Sequence, residues 1–370
     1  MKKLFVLFIS CILVASLCNI QADAISAKAA ILINGDTGEI IYEKSANLRL
    51  SMASTTKIMT AVLLLENKKL SDTVIVTDEM LRVEGSSMGL KSGDKVSFYD
   101  LLYGLMLSSG NDAANVVAIS IGGSLEGFAK MMNAKAKEIG LLNTSFVTPS
   151  GLDSENHYTT AYDLSMLTRY ALENDEFARA VSTKSVTLYF GNPPYRRTLT
   201  NHNRLLNMVD GVIGVKTGFT KKSGRCLVSA YKKDGKYLIA VTLNAPNDWA
   251  DHKSLIDYGI SKTRVKCFNF DNEYLLEIEN ADSLTVTIPS VEFSYMDDGF
   301  ITAEPIFLEG LTAPIKKGQL LGYAVYKYKD KVIRKTEILA LYDIKEIESK
   351  PQNKGFFSYV KDVFLGIWEN

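Results

Sequence analysis

Ser54 and Lys57 are the residues of this chain whose types and spacing best fit them to do chemistry together. A serine hydroxyl is a poor nucleophile until a nearby base takes its proton. A separation of three positions puts hydroxyl and amine one turn apart on the same face, provided the stretch is helical. The sequence predicts that helix, because Ile58, Val62 and Leu65 recur at helical spacing from Ser54 onward. Lys57 acts as a base only as the neutral amine, which a cation such as Lys216 in a partly desolvated cleft would favour. A serine at a helix N-terminus also sits where backbone N–H groups and the dipole stabilise developing negative charge. The chemistry implied is nucleophilic catalysis by Ser54 with Lys57 as its base.

Spacing alone is a weak signal, since Ser92–Lys95, Ser229–Lys232 and Ser358–Lys361 share it. Ser92 lies in a Gly-Asp turn, and Ser229 lies in a strand pattern, where i and i+3 face opposite sides. Two more short patterns follow in order, Ser109-Gly110-Asn111 and Lys216-Thr217-Gly218. Ser-x-Asn recurs at Ser45–Asn47 and Ser154–Asn156, but the Lys-Thr-Gly triplet occurs once. Chance would produce that triplet in roughly one such chain in ten, so coincidence explains the full set poorly. Each member also has a plainer reading. Ser54 fits an N-cap, Ser109 and Asn111 fit a capped loop, and Lys216 fits a solvated strand lysine.

Other chemistries lack their residues. His157, His202 and His252 form no HExxH pair, and with Cys226 and Cys267 they offer no zinc-ligand spacing. There is neither a GxSxG elbow nor a phosphate-cradling glycine loop, so no metal or cofactor is expected. A Ser-His-Asp triad needs no local pattern, and nothing points to one. His157 reads as a structural loop residue, and Asp112 as structural too.

The elements that must position Ser54, Ser109 and Lys216 follow from periodicity. Ala29 to Tyr42 reads as strand, Gly35-Asp36-Thr37-Gly38 turn, strand. Helical spacing dominates from Ser54 to about Tyr170, including Leu101, Leu102, Leu105 and Met106. Strand character returns from Gly211 to Thr242 around a turn at Asp234-Gly235, and a helix is expected over Trp249–Tyr258. Strands at both ends with helices between them predict an α/β sheet carrying a helical insert. After Cys267 short alternating strands such as Leu284, Val286 and Ile288 predict a small all-β domain.

Composition bounds the rest. The chain has 370 residues, enough for two domains, with 42 basic against 42 acidic residues. Without a basic excess there is no sequence-independent grip on a phosphate backbone, so nucleic acid is not an expected partner. Lys2 and Lys3, the apolar run Leu4–Leu17 and the small-x-small site Ala22-Asp23-Ala24 read as an export signal over 1–24. That run is too short to span a bilayer. Cys18 raises a lipoprotein alternative, which the bulky Leu17 before it opposes. An exported protein of this size with Cys226 and Cys267 alone does not need a disulfide, and none is expected.

The stretches around the motifs carry a family likeness. AAILINGDTGEIIYEK, ASTTKIMTA, SSMGLKSGDKVSFYDLLYGLMLSSGNDAAN, GLDSENHYTTAYDL, DGVIGVKTGFT and APIKKGQLLGYAVY resemble the low-molecular-weight penicillin-binding proteins, the serine-type D-alanyl-D-alanine carboxypeptidases. SxxK, SxN and KTG are the motif set of penicillin-recognising serine acyl-transferases. The resemblance implies a β-lactamase/DD-peptidase-like sheet with helical insert, then the all-β domain and a C-terminal amphipathic helix. It implies cleavage of the last D-alanine from peptidoglycan pentapeptide through acyl-Ser54, with Lys57 as proton acceptor. Peptidoglycan stem peptides are the implied substrates, and β-lactams the implied inhibitors. Ser109 would relay the proton to the leaving D-alanine, and Asn111 would hold the substrate amide. Lys216 and Thr217 would bind the terminal carboxylate, and Gly218 would let substrate backbone lie against its strand. The backbone N–H groups of Ser54 and Phe219 would form the oxyanion hole.

There are departures and alternatives. Such proteins often place a carboxylate-associated arginine in the helix after the final strand, but Ala245–Lys253 contains none. His252, Lys253 and Arg225 are the candidate substitutes. Phe219 stands where some members carry histidine, a change a backbone N–H role survives. A class A-like β-lactamase shares the motifs but needs a carboxylate to hold the deacylating water, for which Asp153 and Glu155 are candidates. A non-turnover β-lactam-sensing or wall-binding module is the third reading.

The expected organisation is a signal over 1–24, a catalytic domain over 25–266, an all-β domain over 267–350, and a linker with an anchoring helix over 351–370. In that tail Phe356, Val360, Val363, Phe364 and Ile367 share one helical face. Phe356–Trp368 would rise about 20 Å as helix, against roughly 30 Å of hydrocarbon, so it would lie in the membrane interface. A helix docked on the β domain is the alternative. The expected location is outside the cytoplasmic membrane, at its outer face and the wall.

Overall fold

The computed structural model describes residues 25–270, 274–288, 290–296 and 299–347. The expected export signal and the expected C-terminal helix lie outside the described residues.

Strand β1 (Ala29–Asn34) is buried along its whole length and pairs antiparallel with β2 (Ile40–Lys44). The turn between them forms where the sequence predicts it. The Asn34 side-chain oxygen accepts from the N–H groups of Asp36 and Thr37, both at 2.9 Å. A single 3-10 turn, Ala53–Thr56, then runs straight into helix α1 (Lys57–Asn67). Within the stretch read as helical the chain makes a small hairpin of β3 (Thr73–Ile75) and β4 (Lys95–Ser97). Three-residue strands are too short for a period of two to stand out.

Helix α2 (Phe98–Met106) starts at a capping box, with Ser97 and Asp100 satisfying each other's backbone donors. Helix α3 (Asn111–Gly122) stops at Gly123 in the left-handed conformation, φ 71°. Helices α4 (Leu125–Glu138), α5 (Ala161–Leu172) and α6 (Asp175–Ser182) begin at Ser124, Thr160 and Asn174, each of which accepts an N–H from the first turn. A second hairpin, β5 (Ser185–Gly191) with β6 (Pro194–Thr200), and a short helix α7 (Leu205–Met208) lead back to the sheet.

Strands β7 (Val212–Thr220), β8 (Gly224–Lys233) and β9 (Lys236–Leu243) complete that sheet in the order β2-β1-β9-β8-β7, all neighbours antiparallel. Asp234 and Gly235 both have positive φ at the β8–β9 turn, as a tight hairpin requires. Helix α8 (Asp248–Lys262) is longer than the stretch periodicity marked. Alternate residues of β1 explain why the strand reads as unbroken apolar sequence. Ala29, Ile31 and Ile33 pack into one core with α1 to α6, while Ala30 and Leu32 pack with Leu255 and Ile256 of α8. The sheet is therefore sandwiched between helical layers, and the large core lies on the side of the insert.

Strand β10 (Thr263–Phe268) leads out of this unit, which runs continuously to Lys266 and takes the chain back from Phe293. The second unit comprises Cys267–Glu292 and the residues from Gly299. In it β11 (Tyr274–Leu276) pairs with β12 (Leu284–Val286). The returning segment belongs to β13 (Val291–Met296), the partner of β10. There Ser294 is fully buried, donates its hydroxyl and its N–H to Asp36 at 2.8 Å, and accepts from Asn34 at 3.1 Å. Losing one partner of such a buried set costs about 1–3 kcal/mol. That cost ties this segment to the first unit.

The second unit is built of strands throughout its described residues. Strands β14 (Ile301–Phe307), β15 (Leu320–Tyr328) and β16 (Lys331–Leu339) form an antiparallel sheet. Tyr326 is fully buried at its centre and meets Phe268 and Phe270 edge-on at 6.0 and 6.2 Å.

Candidate active site

The 3-10 turn at Ala53–Thr56 presents Ser54, half-buried, at the entrance to α1. Ala53 has φ 48°, a left-handed conformation that costs a residue with a Cβ about 1–3 kcal/mol. Two side chains hold the turn against that cost. Thr55 donates to Met52 O at 2.6 Å, and Thr56 donates to Ala53 O at 2.8 Å. Gly151 packs on the same carbonyl so closely that a Cβ there would sit 1.9 Å from Ala53 O. At Gly218 of β7 a Cβ would come within 3.0 Å of Ser54 N and 3.1 Å of Ala53 Cβ. The glycine of the Lys-Thr-Gly triplet thus lets its strand close onto the nucleophile turn.

Lys57 begins α1 and is fully buried. Its Nζ lies 2.8 Å from Asn111 Oδ1, 2.7 Å from Ser150 O and 3.1 Å from Ser54 Oγ. A neutral amine has two N–H donors and one lone pair. Both donors go to the carbonyl oxygens of Asn111 and Ser150, which leaves the lone pair directed at the Ser54 hydroxyl, within proton-transfer reach. Burial holds the Lys57 ammonium well below the ordinary lysine range, and the nearby Lys216 charge lowers it further, while Asp112 acts in the opposite sense. The electrostatics favour the form that the geometry requires.

Asn111 stands at the first turn of α3, and its Nδ2 donates to Glu84 O at 2.6 Å. Its side chain therefore fixes the base, a task the sequence left unread. Ser109, just before it, is buried in a left-handed conformation, φ 56°. Lys216 lies inside β7, 1% exposed, with Nζ donating to Thr217 O at 2.9 Å. Burial alone lowers its pKa to about 7. Ser54, Ser109, Thr217, Gly218 and Phe219 line one cleft of about 320 Å³, shared with Ser86, His202, Arg225, Asp248 and Trp249. Phe219 is 66% exposed at its rim.

The three candidate substitutes for the missing arginine part company here. His252 is fully buried, bonded to Ser229 at 2.6 Å and Thr242 at 2.9 Å, and burial holds its pKa near 3. Lys253 pairs with Asp257 at 2.7 Å on the outer surface of α8. Arg225 alone of the three lines the cleft. It sits opposite Phe219 in the β7–β8 ladder, held by Asp248 at 2.9 Å with its guanidinium over Trp249. Asp153 accepts from Thr220 at 3.0 Å, and neither it nor Glu155 is among the residues lining the cleft.

Asp112, read from sequence as structural, shapes the cleft, and Arg197 and His202 do so without any role given them by sequence. Asp112 accepts from Ser87 and from the N–H groups of Met88, Gly89 and Leu90, at 2.5 to 3.0 Å, so it folds the loop that brings Ser86 to the cleft. Arg197 of β6 stacks between Phe190 and Tyr195 and donates to Met88 O and Gly89 O of the same loop. His202 lines the cleft through a segment anchored by its N–H on Leu107 O. Only Asp112, one residue past the Ser-x-Asn pattern, had any positional signal.

Comparison with known proteins places this arrangement. Residues 17–247 match the family model described as D-alanyl-D-alanine carboxypeptidase, and residues 281–346 match that of the penicillin-binding protein 5 C-terminal domain. The chain is 34% identical over 360 residues to the D-alanyl-D-alanine carboxypeptidase DacF of Bacillus subtilis, covering 92% of this chain and 90% of that protein. It is 31% identical to DacC of Escherichia coli, covering 94% and 89%. Among solved structures, the D-alanyl-D-alanine carboxypeptidase DacD of Francisella tularensis aligns at TM-score 0.64 and 27% identity over 89% of this chain and 96% of that one. The Streptomyces K15 DD-transpeptidase aligns at TM-score 0.62 and 34% identity over 64% and 98%.

Proposed function

The chain belongs to the D-alanyl-D-alanine carboxypeptidase family, and we propose that it runs that reaction through an ester on Ser54. It is a serine DD-carboxypeptidase, and the substrate read for it is the D-Ala-D-Ala end of a peptidoglycan pentapeptide. The observation that carries the residue assignment is the Lys57 amine, 2.8 and 2.7 Å from the carbonyl oxygens of Asn111 and Ser150 and 3.1 Å from Ser54 Oγ.

In the proposed sequence Ser54 Oγ attacks the carbonyl carbon of the penultimate D-alanine and its proton passes to Lys57. The oxyanion is taken by the N–H groups of Ser54 and Phe219. The proton moves through Ser109 to the nitrogen of the leaving D-alanine as the C–N bond breaks. Water then attacks the ester, gives a proton to Lys57, and Ser54 leaves with it. Asn111 fixes Lys57 and is also assigned the substrate amide. Lys216, Thr217 and Gly218 are assigned the carboxylate and backbone of the substrate, and Lys216 also keeps Lys57 neutral. A β-lactam acylates the same serine, since its strained amide meets the same groups.

Arg225 is the carboxylate-recognising cation in this reading, because it alone of the three candidates reaches the cleft. Loss of a charge-assisted contact of this kind costs about 1.5–3 kcal/mol, or roughly 10- to 150-fold. Arg225→Leu should lower kcat/KM on a D-Ala-D-Ala peptide by that factor and leave the C-terminally amidated peptide unaffected. Equal losses on both would remove Arg225 from carboxylate recognition. The same assay tests the overall reading, for which D-alanine release is the expected result. Rapid β-lactam turnover without D-alanine release would replace it with the β-lactamase reading.

We further read residues 1–24 as an export signal, 25–266 as the catalytic domain, 267–350 as the all-β domain, and 351–370 as a linker and membrane-lying helix. The enzyme would then work at the outer face of the cytoplasmic membrane, where its substrate lies. Protein cut after Gln352 should leave the membrane fraction while the full chain stays in it. A cut protein that remains bound would refute the anchor.

A further inference from the structure

We propose that His157 and Thr56 form a positioning pair that holds the nucleophile turn and the carbonyl aiming the base in one register. The proposal rests on Ser54 being the nucleophile. Thr56 fills a variable position of the Ser-x-x-Lys pattern and closes the turn, His157 lies outside the motif set, and both are buried.

The hydrogen bonds leave one arrangement of protons. Thr56 Oγ1 gives its proton to Ala53 O at 2.8 Å, so it can only accept from His157 Nε2, 2.9 Å away. Nδ1 of the same ring accepts from Val147 N–H at 2.9 Å and Thr148 N–H at 3.3 Å. His157 is thus neutral, with its proton on Nε2. Protonating Nδ1 would set a third N–H against two donors. Burial favours the same neutral form, with Asp153 raising and Lys222 lowering the pKa in smaller measure, and the Phe146 ring meets the imidazole edge-on.

What the ring joins gives it its task. On one side it steadies Thr56, and through it the carbonyl of Ala53, whose φ of 48° sets the direction of Ser54. On the other it gathers the N–H groups that open the loop ending in Pro149, Ser150 and Gly151. Thr60 donates to Pro149 O at 2.6 Å, and Lys57 donates to Ser150 O at 2.7 Å. One imidazole therefore couples the angle of the serine to the carbonyl that turns the lysine lone pair toward it. A loose pair would leave Ser54 and Lys57 present but misaligned, and a misplacement of about 1 Å costs on the order of a hundredfold.

The test is the rate of acylation by a fluorescent penicillin, with the label located on the Ser54 peptide by mass spectrometry. Thr56→Val keeps the shape of the side chain but removes the hydroxyl, and Thr56→Ser returns it. Thr56→Val should slow the maximal acylation rate by about 10- to 100-fold with little change in the concentration needed for half-saturation. Thr56→Ser should recover most of that loss, and the double variant Thr56→Val, His157→Phe should be little slower than the worse of its two singles. Wild-type rates in Thr56→Val, a loss confined to half-saturation, no recovery in Thr56→Ser, or multiplying losses in the double variant would each overturn the pairing. If His157→Phe does not fold, His157→Gln takes its place in the double variant, and multiplying losses there overturn the pairing in the same way. None of these outcomes moves the label from Ser54, so they are separable from failure of the nucleophile assignment.

Discussion

Ser54→Ala should leave the protein unlabelled by fluorescent penicillin at any exposure time, with its thermal unfolding close to that of the unaltered chain. Ser86 and Ser109 also reach the cleft, so the prediction is not that hydroxyls are lacking. It rests on the lone pair of Lys57, which the carbonyls of Asn111 and Ser150 direct toward one hydroxyl. Without that activation a serine is a weak nucleophile at neutral pH. The side chain is half-buried and small, so its removal should cost the fold little. D-alanine release should vanish together with labelling. Stoichiometric labelling of the Ser54→Ala protein would sink the whole assignment.

Lys57→Ala should slow acylation by about 10²- to 10⁴-fold, since both the base and the group orienting the hydroxyl are lost. Lys57→Arg should do no better, because a guanidinium stays charged across the working range and offers no lone pair. The pH profile gives a sharper check. Lys57 is active as the neutral amine, so the acylation rate rises with pH as it loses its proton. The Lys216 charge helps to depress that titration. Removing the cation lets Lys57 hold its proton to higher pH, so Lys216→Gln should move the acid limb upward. Burial lowers the pKa of Lys216 itself to about 7 in the unaltered protein. Above that pH the Lys216 cation, assigned to the substrate carboxylate, is lost, and the alkaline limb follows that loss. Lys216→Gln should therefore lose the alkaline limb as well. An acid limb that stays in place, or shifts downward, would show that Lys216 does not govern the base.

Arg225 and Trp249 lie together at the cleft, where we propose that they make up for the missing arginine. Trp249 and Asp248 begin α8, where the related arginine was expected to lie a few positions on. Here they steady a guanidinium from the neighbouring strand instead. In the proposed reading carboxylate recognition then comes from β8, from the residue directly opposite Phe219.

Much of the site was legible before any coordinates, and the reason is its locality. Ser54 and Lys57 belong to one turn, and an i, i+3 spacing sets their separation wherever the chain is helical. Asn34 to Gly38 declared its turn through residues that bond their own backbone. The short apolar run of β1 marked a strand because burial on both faces leaves no polar residue between the apolar ones. Membership of the family was carried by contiguous stretches, which the comparisons support over nearly the whole chain. The hairpin β3–β4 was missed because its strands are too brief to show a period, and β5–β6 because the alternation of Val186, Leu188 and Phe190 has no counterpart in the polar β6.

Tertiary packing alone decided the remainder. His252, Lys253 and Arg225 were equivalent as candidate cations in the sequence. Burial between β8 and β9 removed the first, the outer face of α8 removed the second, and the β7–β8 register delivered the third. Arg197 braces a loop 108 positions earlier, and His157 reaches a threonine 101 positions away. No local pattern encodes such distances, because they depend on how whole elements pack. The sequence marked Ser54, Lys57, Ser109 and Lys216 as candidates for acyl transfer and the helical spacing that brings the first two together. The fold decided which carbonyls take the protons of Lys57, and so where its lone pair points.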